Sequence, residues 1–295
     1  MTAPLQERTT ELEPVAHSSF GSVPPPTKTD SWTAIKAVVR RDITAIARSK
    51  AITLPMIMVP TLLLVILPLV VGLAARMRTS GIGDLLADFP PELVDPIVSR
   101  PPEEQLLLLV NGYLLAPLFL IVPLMVSAVI AADAFAGEKE RRTLESLLHL
   151  PVSDRDLYVG KLLSAYLPAL AVSWIGFLAF SLVANAVGWP VMHRIFVPTP
   201  LWLIMILWVA PAVAGLGLGI MVRVSARSNS TQEANQLGGA VILPLIFVVV
   251  GQATGLLLVG PKLAFLVGCV VWVVALWLNI RGAKRFTRDR MAAQA

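Results

Sequence analysis

The sequence predicts an all-α, polytopic membrane protein with six transmembrane helices, an N-terminal interfacial amphipathic helix and short cytoplasmic helices. Three observations predict the membrane architecture. Of 295 residues, 56% are hydrophobic and only 15% are charged, against about 25% charged in a soluble domain. Mean hydropathy is +0.75. Six apolar stretches, near 52–75, 105–132, 160–187, 201–222, 236–258 and 262–281, each approach the ~20 residues that cross a hydrocarbon core. A net charge of +5 would suit nucleic acid, but the basic residues flank apolar stretches and form no continuous patch. Topology accounts for them, and no nucleic-acid partner is expected.

Residues 1–30 carry Glu7, Glu11, Glu13 and the run Pro24-Pro25-Pro26. They read as a disordered cytoplasmic tail. No basic start with an apolar core falls within the first ~30 residues, so no cleavable signal is expected. Residues 31–50 follow a helical period, with Trp32, Ile35, Val39, Ile43 and Ile46 in one stripe. Arg40, Arg41 and Arg48 point elsewhere, and Lys36 can snorkel. Ser31 is the expected N-cap. Because this helix abuts an apolar span, it is expected to lie on the membrane and contact lipid, in preference to packing as an ordinary soluble helix.

Prolines punctuate the spans: Pro55, Pro60, Pro68, Pro117, Pro123, Pro168, Pro211 and Pro244. Kinked membrane helices tolerate them when neighbours re-satisfy the backbone. With the N-terminus inside, 19 Lys and Arg residues fall on the inner side and five outside (Arg76, Arg78, Arg100, Arg194, Lys262). That split places both termini in the cytoplasm. The outer 76–104 segment is acidic and is expected to hold a short helix around Ile82–Phe89. Gly215/Gly219 and Gly251/Gly255 form two GxxxG pairs, suited either to packing within the chain or to a dimer seam.

The stretch from Asp133 to Lys161 is the polar exception between spans two and three. Seven charges lie between Asp133 and Glu145. At roughly 2.5–3.5 kcal/mol each, burying them in lipid would cost on the order of 20 kcal/mol, so the stretch is in water. Glu138 and Arg142 are spaced i,i+4 in the favourable order. Leu144, Leu147 and Leu148 make one apolar ridge, and Pro151 stops the helix. Ser153 opens the next helix, with Asp156 three residues on. A solvated charged loop fits these facts as well as a docking helix does. The ridge needs a partner: the rest of the chain, the headgroups or another protein.

The run GEKERRTLESLLHLPVSDRDLYVGKLL resembles the first cytoplasmic loop of the permeases of type-2 ABC exporters, often written G-E-[KR]-E-x-G-T-[LM]-E-x-L-L-x-x-P-[VI]-S-x-x-x-x-x-x-G-K. The matching residues are Gly137, Glu138, Lys139, Glu140, Thr143, Leu144, Glu145, Leu147, Leu148, Pro151, Val152, Ser153, Gly160 and Lys161. Arg142 departs from the Gly often found there. The resemblance covers about residues 31–290, leaving 291–295 as a tail. It implies that the loop forms a coupling helix seated in a cytoplasmic ABC ATPase. Glu138, Glu140, Arg142, Thr143, Glu145, Leu147, Leu148, Pro151 and Ser153 would carry that contact. It implies a second, smaller contact before span five, at RSNSTQEANQ, where Ser230 and Glu233 form a capping box. It also implies a second permease chain, identical or closely related, and a short or re-entrant link near Gly255–Lys262. Transport would run as export from a bacterial cell membrane, with cargo leaving through the dimer interface.

The chain carries no G-x-x-x-x-G-K-[ST] phosphate loop. ATP and Mg are therefore expected on the partner subunit, with no cofactor and no enzyme activity in this chain. His17, His149 and His193 lack metal spacing, and the single cysteine, Cys269, reads as a packing residue. Asp133, at the inner edge of span two, is a possible gate, although headgroup solvation also explains it. A secondary transporter or ion antiporter would call for charges at mid-membrane and internal repeats. A membrane scaffold or enzyme could use the same loop for docking. The few polar groups within spans, Asn111, Asn185 and Gln252, favour an amphipathic or lipid-like cargo.

Overall fold

The structure, a computed structural model, describes residues 31–77, 82, 91–140, 153–228, 230–243, 246–247, 250–251 and 260–285. Among these, all regular structure is helical. Helix α1 is Ser31–Arg48. It is followed by α2 (Lys50–Met77), α3 (Pro91–Val98) and α4 (Pro102–Gly137). Then come α5 (Asp154–Met192), α6 (Pro200–Arg227), α7 (Thr231–Gly239) and α8 (Pro261–Arg285). Helices α2, α4, α5, α6 and α8 are long and apolar enough to span a membrane, so the described residues contain five such helices where six were expected. The expected span at 236–258 is only partly described; α7 and a tight 3₁₀ turn, Ala240–Ile242, stand at its head.

Helices α4 and α6 form the centre of the bundle, with far more of their apolar length buried than α2, α5 or α8. They approach closely at Gly217, where a Cβ would lie 2.7 Å from Ser127 Oγ and 2.9 Å from Leu124 Cδ1. Trp202 of α6 is fully buried. Its ring sits 4.4 Å from that of Phe180, 5.4 Å from Phe177 and 5.6 Å from Phe119, joining α6, α5 and α4. In lipid, such packing holds helices together mainly by dispersion.

Three spans are π-helical just before a proline: Leu62–Ile66 before Pro68, Leu108–Leu114 before Pro117 and Met205–Val209 before Pro211. A proline lacks the N–H that would meet the carbonyl four residues earlier. Those carbonyls, of Leu64, Tyr113 and Leu207, all fall within the π stretches. Neighbouring helices donate indole N–H groups to carbonyls of the two central stretches. Trp202 Nε1 donates to Asn111 O at 2.8 Å, Trp174 Nε1 to Ile206 O at 3.3 Å and Trp272 Nε1 to Trp208 O at 3.1 Å. Partners on adjacent helices thus serve backbone groups that lipid could not satisfy.

The first GxxxG pair packs within the chain. A Cβ on Gly215 would lie 3.6 Å from Ala275 Cβ, and one on Gly219 only 2.8 Å from Leu278 Cβ. Asn279 Nδ2 donates to Gly215 O and to Ala275 O, both at 2.8 Å. This pair therefore seats α8 on α6. Of the second pair, Gly251 is described and Gly255 lies outside the described residues.

The end of the bundle farther from Lys161 is fastened by polar side chains. Gln105 accepts from Ile82 N at 3.0 Å and donates to Arg100 O at 2.9 Å. Arg194 pairs with Glu104 at 2.5 Å. The helix found near this end is α3; of the expected Ile82–Phe89 helix only Ile82 is described, and it is a buried bend. Asn185 is a clamp on the 193–199 connection. It accepts from Phe196 N at 2.9 Å and donates to Val197 O at 2.7 Å.

Candidate functional site

The basic end of the bundle is built by the C-terminal end of α4, the N-terminal end of α5 and by α1. Helix α1 buries Ala34, Ile35, Val38, Asp42 and Ile46. The expected stripe is thus divided. Ile35 and Ile46 face protein, Val39 and Ile43 are half-buried, and Trp32 is 56% exposed. The period located the apolar side, but the protein-facing arc is rotated and takes in Asp42. Gly160 of α5 receives α1, because a Cβ there would lie 2.9 Å from Val38 Cγ1. Ser31 does not spend its hydroxyl capping α1; it donates to Asp156 Oδ1 at 2.6 Å. Ser153 caps α5 as expected, accepting from Asp156 N at 3.1 Å.

Helix α4 ends in a π-helical turn, Asp133–Gly137, and the chain continues helically through Glu138–Glu140. This geometry turns Glu138 back toward the bundle. Its carboxylate meets Arg41 Nη2 at 3.1 Å and forms a close ion pair with Lys161 Nζ. The Lys161 side chain is 3% exposed. Its ammonium also donates to Ala134 O at 2.9 Å and lies 5.6 Å from the centre of the Phe135 ring. Arg41 Nε donates to Asp42 Oδ1 at 2.9 Å, and Ser164 Oγ donates to Asp42 Oδ2 at 3.4 Å. Side chains from α1, the end of α4 and α5 therefore share one charge network.

Burial pushes the Glu138 carboxyl above its usual value of 4.5, and Lys161 opposes that shift. Burial wins, so the folded chain holds this proton more tightly than the unfolded chain. Stability from this group is complete below about pH 4.5 and is lost as pH rises through the folded value. Wild type is therefore expected to gain melting temperature relative to Glu138→Gln as pH falls from about 8 to about 4.5. Thermal unfolding of both in one detergent reads the difference. A relative gain toward alkaline pH would mean that the cations outweigh burial.

Next to this network, Glu140 Oε2 accepts from both Thr231 N and Thr231 Oγ1 at 2.9 Å. Ser230 Oγ accepts from Glu233 N at 3.1 Å, the expected cap of α7. Asp133 is half-buried at the start of the π-helical turn. Its Oδ1 lies 2.9 Å from where a Cβ on Gly137 would be. Arg142, Thr143, Glu145, Leu147, Leu148 and Pro151 lie outside the described residues, as does the expected Glu138–Arg142 pairing. The described partners of Glu138 belong to other helices.

The arrangement brings together Glu138, Glu140, Ser230 and Glu233 from the expected set. It adds Lys161, Arg41, Asp42 and Thr231, none of which had been singled out as a site residue. Lys161 carried one signal, a lysine placed inside the apolar run of span three. Asp42 carried another, an acid on the buried side of the α1 period. The network can hold three helices together by charge and release them together.

A profile of the family described as ABC-2 family transporter protein matches residues 28–267, more than half of the chain. No curated protein matches it significantly.

Proposed function

The chain belongs to the ABC-2 transporter family and is a multi-pass transport permease, and on that premise we propose that it is the membrane-spanning subunit of an ATP-driven exporter. It pairs with a second permease chain and with separate cytoplasmic ABC ATPases that hold ATP and Mg. The bundle lies in a bacterial cell membrane with six spans and both termini in the cytoplasm. The 133–160 segment receives the ATPase through Glu145, Leu147, Leu148 and Pro151, and the segment around Ser230 and Glu233 makes a second contact. Closure of the ATPases pushes the docking segment. The push passes into α4, α5 and α1 and changes the access of the transport path.

The observation that carries this reading is the Arg41–Glu138–Lys161 network at the root of the segment. A solvated loop gains little from fastening its first residue to a buried lysine and to another helix, since exposed ion pairs contribute about 0–1 kcal/mol. A segment that must transmit force needs a stiff root. The charge split along the chain supports the orientation. The flank of α1 formed by Trp32, Val39 and Ile43, with Lys36 Nζ 5.2 Å from the Trp32 ring centre, supports its lying against lipid headgroups.

The test is co-purification of an ATPase with tagged wild type, Glu145→Ala and Leu148→Asp, followed by an ATPase assay. Wild type is expected to bring down an ABC ATPase, and the variants are expected to lose or uncouple it. An absent ATPase, or one bound and stimulated equally by all three proteins, would overturn the docking assignment.

A further inference from the structure

We infer that Glu140 is a positioning residue that fastens α7 to the end of α4, so that the two cytoplasmic contacts shift as one unit. The inference rests on the docking reading above and adds to it a tie between two segments 91 residues apart. Helix α7 begins after the extended N-cap Ser230, and the N–H groups of its first turn have no partner inside the helix. Ser230 serves one of them, at Glu233. Glu140 serves the one at Thr231 and takes the Thr231 hydroxyl on the same oxygen. A carboxylate at a helix start is favoured by both the hydrogen bonds and the helix dipole.

Two further observations show that this contact is built. Gly137 leaves room for it: a Cβ there would lie 3.2 Å from Thr231 Oγ1, tighter than side chains ordinarily pack. Farther along, α7 packs on both α6 and α4. Gly238 is seated on Met221, where a Cβ would lie 2.2 Å from Met221 Sδ. Between α7 and α4 lies a cavity of about 120 Å³, lined by Leu124, Met125, Val129, Asn235, Gly238 and Gly239 among others. The cavity leaves the packing of α7 on α4 incomplete there. The Glu140 tie crosses from one to the other at its edge.

Hydrogen exchange on the full-length permease, alone and with its co-purified ATPase, tests the tie. In Glu140→Ala, amides 231–234 are expected to exchange about tenfold faster than in wild type. Glu140→Gln keeps an acceptor oxygen and is expected to remain within about threefold. Thr231→Val loses only the hydroxyl bond and falls between them. In the wild-type complex, ATP with vanadate is expected to change exchange over 231–239. That response is lost in Glu140→Ala and kept in Glu140→Gln. A damaged fold would not be rescued selectively by Gln. Wild-type exchange at 231–234 in Glu140→Ala, or an intact nucleotide response, would overturn the inference. Failure of any ATPase to co-purify with wild type would instead overturn the docking reading, leaving exchange in the permease alone to decide whether the tie exists.

Discussion

Glu138→Ala is expected to lose about 3–5 kcal/mol of stability, because it strands a buried ammonium. Lys161 has a 3% exposed side chain, and among the described residues only a carbonyl and a ring face would be left around its charge. Lys161→Met is expected to cost less. The carboxyl it strands keeps Arg41 and can take up a proton, for which neutralisation costs only about 3–4 kcal/mol from the ordinary value, and burial has already moved it in that direction. The double variant Glu138→Leu/Lys161→Met removes both charges and is expected to recover to within about 1–2 kcal/mol of wild type. It should not recover ATPase stimulation, since Arg41 no longer reaches the end of α4. Thermal unfolding separates the stability effect and the ATPase assay the coupling effect. A double variant as unstable as Glu138→Ala would show that the pair is not what holds the site.

Trp202→Ala is expected to lose about 3–5 kcal/mol, the range for removing a large buried aromatic. The loss has two sources. The indole fills the space between Phe119, Phe177 and Phe180, and its N–H serves the carbonyl of Asn111. Trp202→Phe keeps most of the ring and is expected to cost about 1 kcal/mol, close to what hydrogen bonds between membrane helices contribute. Cys269 is the single cysteine and is only half-buried. A thiol-reactive dye therefore follows unfolding in detergent with one label per chain, best scored against a Cys269→Ser control. Equal melting temperatures for Trp202→Ala and Trp202→Phe would show that the ring's bulk contributes nothing there.

Helices α2, α4, α5, α6 and α8 each overlap an apolar stretch of the sequence, because apolar length is a local property. The caps at Ser153 and Ser230 were readable for the same reason, each reaching only three residues along the chain. The charge network was not readable. Glu138 finds Lys161 across 23 residues and Arg41 across 97, and the nearer candidate, Arg142, competed for it in the sequence. The partners of Asn185 were not readable either, since it secures the turn that follows its own helix through residues 11 and 12 positions away. The glycines of the first GxxxG pair were visible as small residues. Only the neighbours Ala275 and Leu278 decide which helix they receive.

The π-helical stretches of α4 and α6 have a mechanical consequence. Each divides a central span into two rods meeting at a joint, and an indole from a neighbouring helix acts as a removable pin through it. From Leu114 to Gly137, α4 has a lever arm of about 35 Å; from Val209 to Arg227, α6 has one of about 27 Å, at 1.5 Å per residue. A bend of about 10° at either joint carries the far tip sideways by about 5–6 Å. The basic end can thus travel by the width of a helical turn while the opposite halves, fastened by Gln105, Arg194 and Asn185, stay where they are.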